Sequence, residues 1–419
     1  MTRVGIEKIN LYGCSLCLQQ AELARARGKD PEQVVNNYLI RTRSLNPPYE
    51  DTVTMAANAA EPMLSEEDRR SIGLLIVGTE GSVDFGKPIS TNLHRALRLP
   101  PNVRNYETKH ACYSGVAALD TAVNWIAAGL NRGKKALVIA ADFSRTHFGK
   151  DHEFVLGGAA AAVLVSDTPR VVEYELEHKG SWTTDIYDTF RPTAKHESGN
   201  NEVSLYSYMD ALEGAYAHYR ESFAEAVDFD RHFQYNIYHM PFPGMAFQAH
   251  RTLCNLARPR KKAEVQESFQ AKVWPSLRFA QRVGSTYGAS NFIGLAGLLS
   301  GDAPVAPGDR IGFFTYGSGA IGEFYSARIL PGAKAAVPGP HLDQALDSRR
   351  EVSFAEYEQI ETIRESMIEQ PDVTPDFGLL GDWYGRHYAG QRYLVLAGVK
   401  DFVRTYEWSD ERGRDSVRG

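Results

Sequence analysis

The chain has 419 residues, 43% of them hydrophobic, and a formal net charge of -6, so it is long enough to bury a large core as two ordinary domains or one large α/β unit. This balance excludes a disordered chain and gives no global attraction to nucleic acid or to an anionic membrane; any basic recognition site must be local. The N-terminus lacks the apolar stretch of a secretory signal and no run approaches the ~20 apolar residues of a membrane span, so a cytoplasmic protein is expected, its four cysteines reduced rather than paired.

In chain order, Cys14 and Cys17 form a C-x-x-C. No second pair supplies two further zinc ligands and no clear strand leads into it, so they read as half-buried helix or loop cysteines with no metal. "SIGLLIVGTEG" (71–81) reads as a short strand ending at Gly78, which leaves Glu80 at a strand end. Val116, Leu119, Val123, Ile126 and Leu130 recur at spacings of three and four and predict an amphipathic helix starting just after Cys112, with Gly133 at its exit. "KKALVIAADFS" (134–144) and "GGAAAAVLVSD" (157–167) repeat the near-continuous apolar pattern of strands covered on both faces. His147 and His152 between them are five apart without a third ligand and read as a surface loop.

The second half has its own set: a strand at 170–178, a helix near 204–228, a strand within 233–242, a helix near 286–299 and two strands over 310–330. The class is α/β, with strands and helices interleaved alike in each half. "GSGAIG" (317–322) matches G-x-G-x-x-G, but the strand formers "EFYSARIL" follow where a nucleotide site needs a helix, so it reads as a glycine turn between strands. From about 331 a Gly/Pro/Ala-rich linker leads into charged helical segments and an aromatic tail, which reads as an appendage to the core.

If Cys112 sits at the N-terminus of its helix, the unpaired N–H groups and the dipole favour thiolate, and Lys109 and His110 add positive potential. The residues alone leave a nucleophile and a buried structural cysteine both open. Glu80, and His239 held in a loop stiffened by Pro241 and Pro243, could supply an acid/base; a solvated carboxylate and a satisfied core histidine are the bland alternatives.

Together, "GTEGSVDFGKP", "KHACYSG", "YHMPFPGM" and "FFTYGSGAIGEF" resemble, in order, spacing and flanks, the motifs of 3-hydroxy-3-methylglutaryl-thioester synthases of the thiolase superfamily. "VDFGK", "KHACYSG", "DTFRPT" (188–193) and "PFPGM…AHR" are more similar to the branch that serves polyketide assembly lines, which works on acyl carrier proteins and installs a β-branch. The resemblance implies a thiolase-like fold of two similar halves in a layered αβαβα arrangement: 1–168 with Glu80 and Cys112, 169–330 with His239 and the Gly-Ser-Gly turn, and a packed extension over 331–419. It implies that Cys112 takes acetyl from a donor carrier, that Glu80 removes a methyl proton, and that His239 engages the β-keto thioester on an acceptor carrier. Main-chain N–H groups at Cys112 and in the turn at Gly317 and Ser318 are the candidate enolate donors. Glu80 should need an apolar surrounding to be basic enough, which the adjacent "LLIV" could supply.

Hydrolysis then frees the product. No bound cofactor or metal is implied; the only prosthetic group is the phosphopantetheine of the partner carriers. A homodimer rests on the resemblance alone. The sequence departs from the family at Ser285, where the family's Val-Gly-Asn places asparagine beside the acceptor, and a hydroxyl is a shorter donor. Arg258, Arg260, Lys261 and Lys262 form a local basic patch suited to an acidic carrier. Two other readings remain: a mevalonate-route synthase using acetyl-CoA and acetoacetyl-CoA, and a non-catalytic docking subunit.

Overall fold

The apolar runs form the strands that their patterns predict, and these pair into one sheet. A computed structural model describes residues 3–412. Its central strands are β1 (Gly5–Tyr12), β2 (Ile72–Gly78), β3 (Arg104–Thr108), β4 (Lys135–Phe143), β5 (Gly158–Ser166), β6 (Val172–Thr183), β7 (Tyr235–Tyr238), β8 (Arg310–Gly317) and β9 (Ile321–Ile329). They lie in the order β7-β8-β9-β6-β1-β5-β4-β2-β3.

That order contains the same plan twice. β1 runs antiparallel to β5, β5 antiparallel to β4, and β4 parallel to β2. Likewise β6 runs antiparallel to β9, β9 antiparallel to β8, and β8 parallel to β7. β3 is extra to the first half and forms a sheet edge. The half-sheets join where Gly5 and Ile6 pair with Glu173 and Val172. Only glycine fits that join: a Cβ on Gly5 would lie 1.9 Å from Val172 O.

Both faces of the sheet are covered, as continuous apolar strands require. Along β2, Leu74 and Ile76 enter one core with helix residues Val116, Leu119 and Val123, whereas Leu75 and Val77 enter a second core with Val53, Ala56 and Ala60. Those helices are α1 (Thr52–Ala60) and α2 (Ser114–Ala127). The later ones are α3 (Asn201–Glu221), α4 (Met245–Ala257), α5 (Lys262–Lys272), α6 (Ser290–Ser300) and α7 (Phe354–Ser366). α2 meets the turn that leads into α6 where Gly115 faces Gly288: a Cβ on Gly115 would lie 2.2 Å from Gly288 O.

Several local expectations change. The apolar stripe of α2 stops at Ile126, because the helix ends at Ala127 and Gly129 turns the chain at φ 70°, leaving Leu130 exposed. The helix predicted to reach 228 ends at Glu221, and the glycine run at 317–322 is the turn between antiparallel β8 and β9. Cys14 lies in a left-handed turn (φ 59°) and Cys17 in the strand Leu16–Gln19, both fully buried rather than half-buried.

The tail is also stitched in more firmly than an appendage. Arg350–Glu351 adds a strand to the small sheet of Leu16–Gln19 and Thr42–Leu45. The Tyr388 hydroxyl donates to the buried Glu50 at 2.6 Å, and Asn58 of α1 exchanges two hydrogen bonds with the main chain of Leu394. Residues 413–419 of the expected extension lie outside the described residues. No helix among the described residues is long and apolar enough to cross a membrane.

Candidate active site

The site lies where strand ends of both halves meet the start of α2. Past Gly78, the Thr79 hydroxyl and the N–H groups of Glu80 and Gly81 all donate to one oxygen of Asp142, at 2.7, 3.0 and 3.0 Å. Asp142 is the last but one residue of β4, so the neighbouring strand fixes the turn that presents Glu80. Three donors on one carboxylate oxygen satisfy it, while its other oxygen is buried without a partner.

Cys112 approaches from the other side. Ala111 takes a left-handed conformation (φ 42°), and the N–H groups of Tyr113 and Ser114 return to His110 O and Ala111 O at 3.0 and 3.1 Å. This turn sets Cys112 ahead of α2, with Sγ donating to Glu80 Oε2 at 3.7 Å. The electrostatics reverse the expectation from the helix dipole. Burial, then the charges of Glu80 and Asp142, push the thiol well above its ordinary value, with Arg191 acting in the other direction. At this contact the Cys112 side chain rests as a thiol.

Glu80 is the carboxylate at this contact. Its side chain is 18% exposed, and its carboxyl is pushed up by burial and by the neighbouring Asp142, with Arg191 pulling the other way. Asp142 is likewise pushed up by burial. Two carboxylates share this site, so a proton stays within it more readily than in water. The side chains of "LLIV" point into the two cores and do not supply this surrounding; burial is still the largest cause of the raised proton affinity of Glu80, with the charge of Asp142 second.

His239 follows β7 directly. Its N–H donates to Phe314 O at 2.7 Å, its carbonyl accepts from the Tyr208 hydroxyl at 2.8 Å, and α4 begins only at Met245, beyond the two prolines. At 1% exposure, burial holds the imidazole down to about 3, so it is neutral under working conditions, and Nδ1 is buried without a partner. Tyr316 of β8 links it to the rest: its ring lies 6.5 Å from that of His239, and its hydroxyl bonds Asp188 at 2.7 Å and Ser207 at 2.8 Å.

The turn at Gly317 and Ser318 packs against the Cys112 turn: a Cβ on Gly317 would lie 2.4 Å from His110 O. His110 is held down by burial, with Asp188 and a main-chain bond to Ser318 acting in the other direction. Asp188 anchors this turn through Gly319 N at 2.9 Å. Ser285 is buried, its N–H donating to Val155 O at 3.1 Å.

The sequence reading missed the groups that surround Glu80. Arg191, from a loop after β6, donates to Glu80 O at 3.2 Å and comes within 3.6 Å of its carboxylate. Glu197 holds Arg191, and His147, expected on a surface loop, bonds Glu197 at 2.8 Å. Only Asp142 had a readable signal: like Glu80, it is a carboxylate interrupting an apolar strand at its end.

The basic patch is partly consumed. Arg260, with a side chain only 3% exposed, pairs through both guanidinium ends with Asp230 at 2.8 Å, which corrects its place in a docking surface. Arg258 reaches Glu264 at 3.4 Å, and Lys261 and Lys262 are exposed at the start of α5.

A doubled strand plan with a cysteine at a buried helix N-terminus, a carboxylate after one central strand and a neutral histidine after its counterpart is the arrangement of a thiolase-like condensing enzyme. Residues 1–169 match the family model "Hydroxymethylglutaryl-coenzyme A synthase N terminal", and 247–379 match its "C terminal" counterpart. A polyketide biosynthesis 3-hydroxy-3-methylglutaryl-ACP synthase, PksG of Bacillus subtilis, is 37% identical over 97% of this chain and 100% of its own length. The hydroxymethylglutaryl-CoA synthase of Enterococcus faecalis is 33% identical over 85% of this chain and 90% of its own length. The curacin biosynthetic pathway HMG synthase, solved in complex with holo donor-ACP, superposes with a TM-score of 0.92 at 38% identity, covering 97% of this chain and 100% of that one. The chain belongs to the hydroxymethylglutaryl-coenzyme A synthase family and is an acyl-transferring, aldol-type condensing enzyme.

Proposed function

We propose that this enzyme condenses acetyl from a donor acyl carrier protein with a β-ketoacyl chain on an acceptor carrier, installing a β-branch in polyketide assembly. The observation that carries this reading is the Cys112–Glu80 contact, with neutral His239 presented from the matching strand. It is supported by likeness to PksG and to the synthase solved with a donor carrier.

Cys112 passes its proton to Glu80, Sγ attacks the acetyl thioester, and the departing phosphopantetheine thiolate recovers that proton. With the thiol acylated, the carboxylate of Glu80 removes a methyl proton. The enolate oxygen meets main-chain N–H donors at Cys112 and the Gly317–Ser318 turn. A neutral imidazole suits the next step: His239 can donate to the acceptor ketone as it becomes an alkoxide, without placing a second cation in the cavity. Water then cleaves the acyl-Cys112 bond and leaves a free carboxylate on the carrier-bound product. Ser285 lines this acceptor side in place of the longer asparagine.

Intact-mass measurement tests the reading. Acetyl carrier should add about 42 Da at Cys112 rapidly, with no adduct on Cys112→Ala. Faster transfer from acetyl-CoA would favour the mevalonate-route synthase, and absence of an adduct from every donor would favour a docking subunit. Exposed Lys261 and Lys262, with Arg258, are the part of the basic patch left for the carriers; charge reversal of both lysines should weaken carrier binding and its salt dependence. We further propose a homodimer formed through the open edge at β3, checked by solution mass, and a division of the chain at 168 and 330.

A further inference from the structure

The reading of Glu80 as the base leaves unexplained a line of three half-buried side chains behind it. Arg191 faces Glu80 yet stops short of a full ion pair, with Nη2 3.6 Å from the carboxylate and Nη1 donating instead to Glu80 O at 3.2 Å. On its far side Arg191 is held closely by Glu197, through Nε at 2.9 Å and through Nη2. Glu197 has a further bond from His147 Nε2 at 2.8 Å. All three side chains are only 14–16% exposed.

A guanidinium between two carboxylates divides itself between them, and geometry decides the share. Here the share favours Glu197. Its carboxyl is buried, but the bonds from His147 and Arg191 outweigh that and hold it down to about 2, so it is an anion throughout the working range. Released from Glu197, Arg191 is close enough to settle into a two-pronged pair with Glu80. Such a pair would fix Glu80 as a poor proton acceptor and turn its oxygen away from Cys112.

We propose that Glu197, braced by His147, is a positioning residue that holds Arg191 at a standoff from Glu80 and so keeps Glu80 both basic and aimed at Cys112. His147 owes its place to the loop after β4, which the C-terminal extension grips: Glu365 and Glu361 of α7 accept from Thr146 N at 3.0 Å and Thr146 Oγ1 at 2.7 Å. The other titratable or charged groups around the line are His152, whose ring lies 4.2 Å from that of His147, Asp151 and Lys150 beside it, Arg145 and Arg364 behind Arg191, and Tyr287, whose hydroxyl bonds Ser144. Asp142 and Cys112 complete the set on the Glu80 side.

The inference rests on the proposed reading of Glu80, but it can be tested without substrate, because Arg191 also acts on the Cys112 thiol. The experiment is the pH dependence of Cys112 alkylation by iodoacetamide, followed by intact mass, in the full-length enzyme and in Glu197→Gln, Glu197→Asp and His147→Gln. Glu197→Gln should let Arg191 advance and move the alkylation limb to lower pH by about 1 unit, with Glu197→Asp restoring most of it. His147→Gln should move it the same way by less, and serves if Glu197→Gln does not fold. A folded Glu197→Gln with an unmoved limb, or a His147→Gln shift towards higher pH, overturns the proposal. Failure of acetyl transfer in the unaltered enzyme, with the alkylation shifts present, would instead strike the reading of the site and leave the standoff intact.

Discussion

The two halves use one strand plan and fill it with opposite chemistry. After β2 comes Glu80, and after its counterpart β7 comes His239. β4 contributes Asp142 beside Glu80, whereas its counterpart β8 contributes Tyr316 beside His239. The first half thus gathers carboxyl groups whose proton affinity is raised by burial and by one another; the second gathers groups that burial keeps neutral. A repeated backbone supplies two equivalent ledges, and side-chain choice makes one an acidic ledge of raised proton affinity and the other a neutral one.

The largest effect should come from breaking the acidic ledge. Glu80→Gln should lower condensation by about 100- to 10,000-fold, measured in single turnover from enzyme already acylated on Cys112. His239→Ala should cost a comparable factor, but only in the acceptor step: acylation of Cys112 persists while product formation fails, a split that would blur if both ledges served one step. Next, Gly115→Ala places a methyl group against Gly288 O where α2 meets the turn before α6. It should destabilise the enzyme by about 1–3 kcal/mol in chemical denaturation and lower turnover, because Cys112 moves with α2.

A smaller effect has a sign fixed by charge. Glu80 titrates higher in the folded chain than an unfolded glutamate does. Its contribution to stability is therefore complete at pH below the unfolded value and declines as pH rises through the folded one. Glu80→Gln removes that decline, so its thermal midpoint should exceed that of the unaltered enzyme at pH 8 by about 2–4 °C and match it near pH 4.5. The smallest lies outside the cavity in the second half. Glu175, bonded by Arg310, Arg328 and Ser326, is held down to about 2 despite burial. The support it gives is present above the ordinary glutamate value and is lost as pH falls towards 2, so Glu175→Gln should weaken the enzyme at pH 7 by about 1 kcal/mol and make little difference at pH 2.5.

Much of this was legible because the informative residues interrupt regular patterns. Glu80 and His239 each follow an apolar strand, Cys112 precedes an amphipathic helix, and seven of the nine central strands fall on the apolar runs that suggested them; β1, which leads towards Cys14 where no clear strand was expected, and the polar edge strand β3 do not. What could not be read lies in chain without periodicity. Arg191 and Glu197 sit on a loop whose placement depends on tertiary contacts with Gly319 and Tyr316 through Asp188, and no spacing in "DTFRPTAKHE" predicts a guanidinium beside Glu80. His147 was misread for the same reason: its loop is pinned by α7, more than 200 residues away in the chain. The charge state of Cys112 was also misjudged, because a helix end was visible in the letters, whereas the burial of the thiol and the second carboxyl group, Asp142, were not.

The join at Gly5 has a mechanical consequence. Main-chain hydrogen bonds run from one half-sheet into the other across Gly5 and Ile6, so the halves form a single slab without a clamshell hinge between them. Access to Cys112 is therefore governed by the loops at the strand ends rather than by an opening of one half against the other.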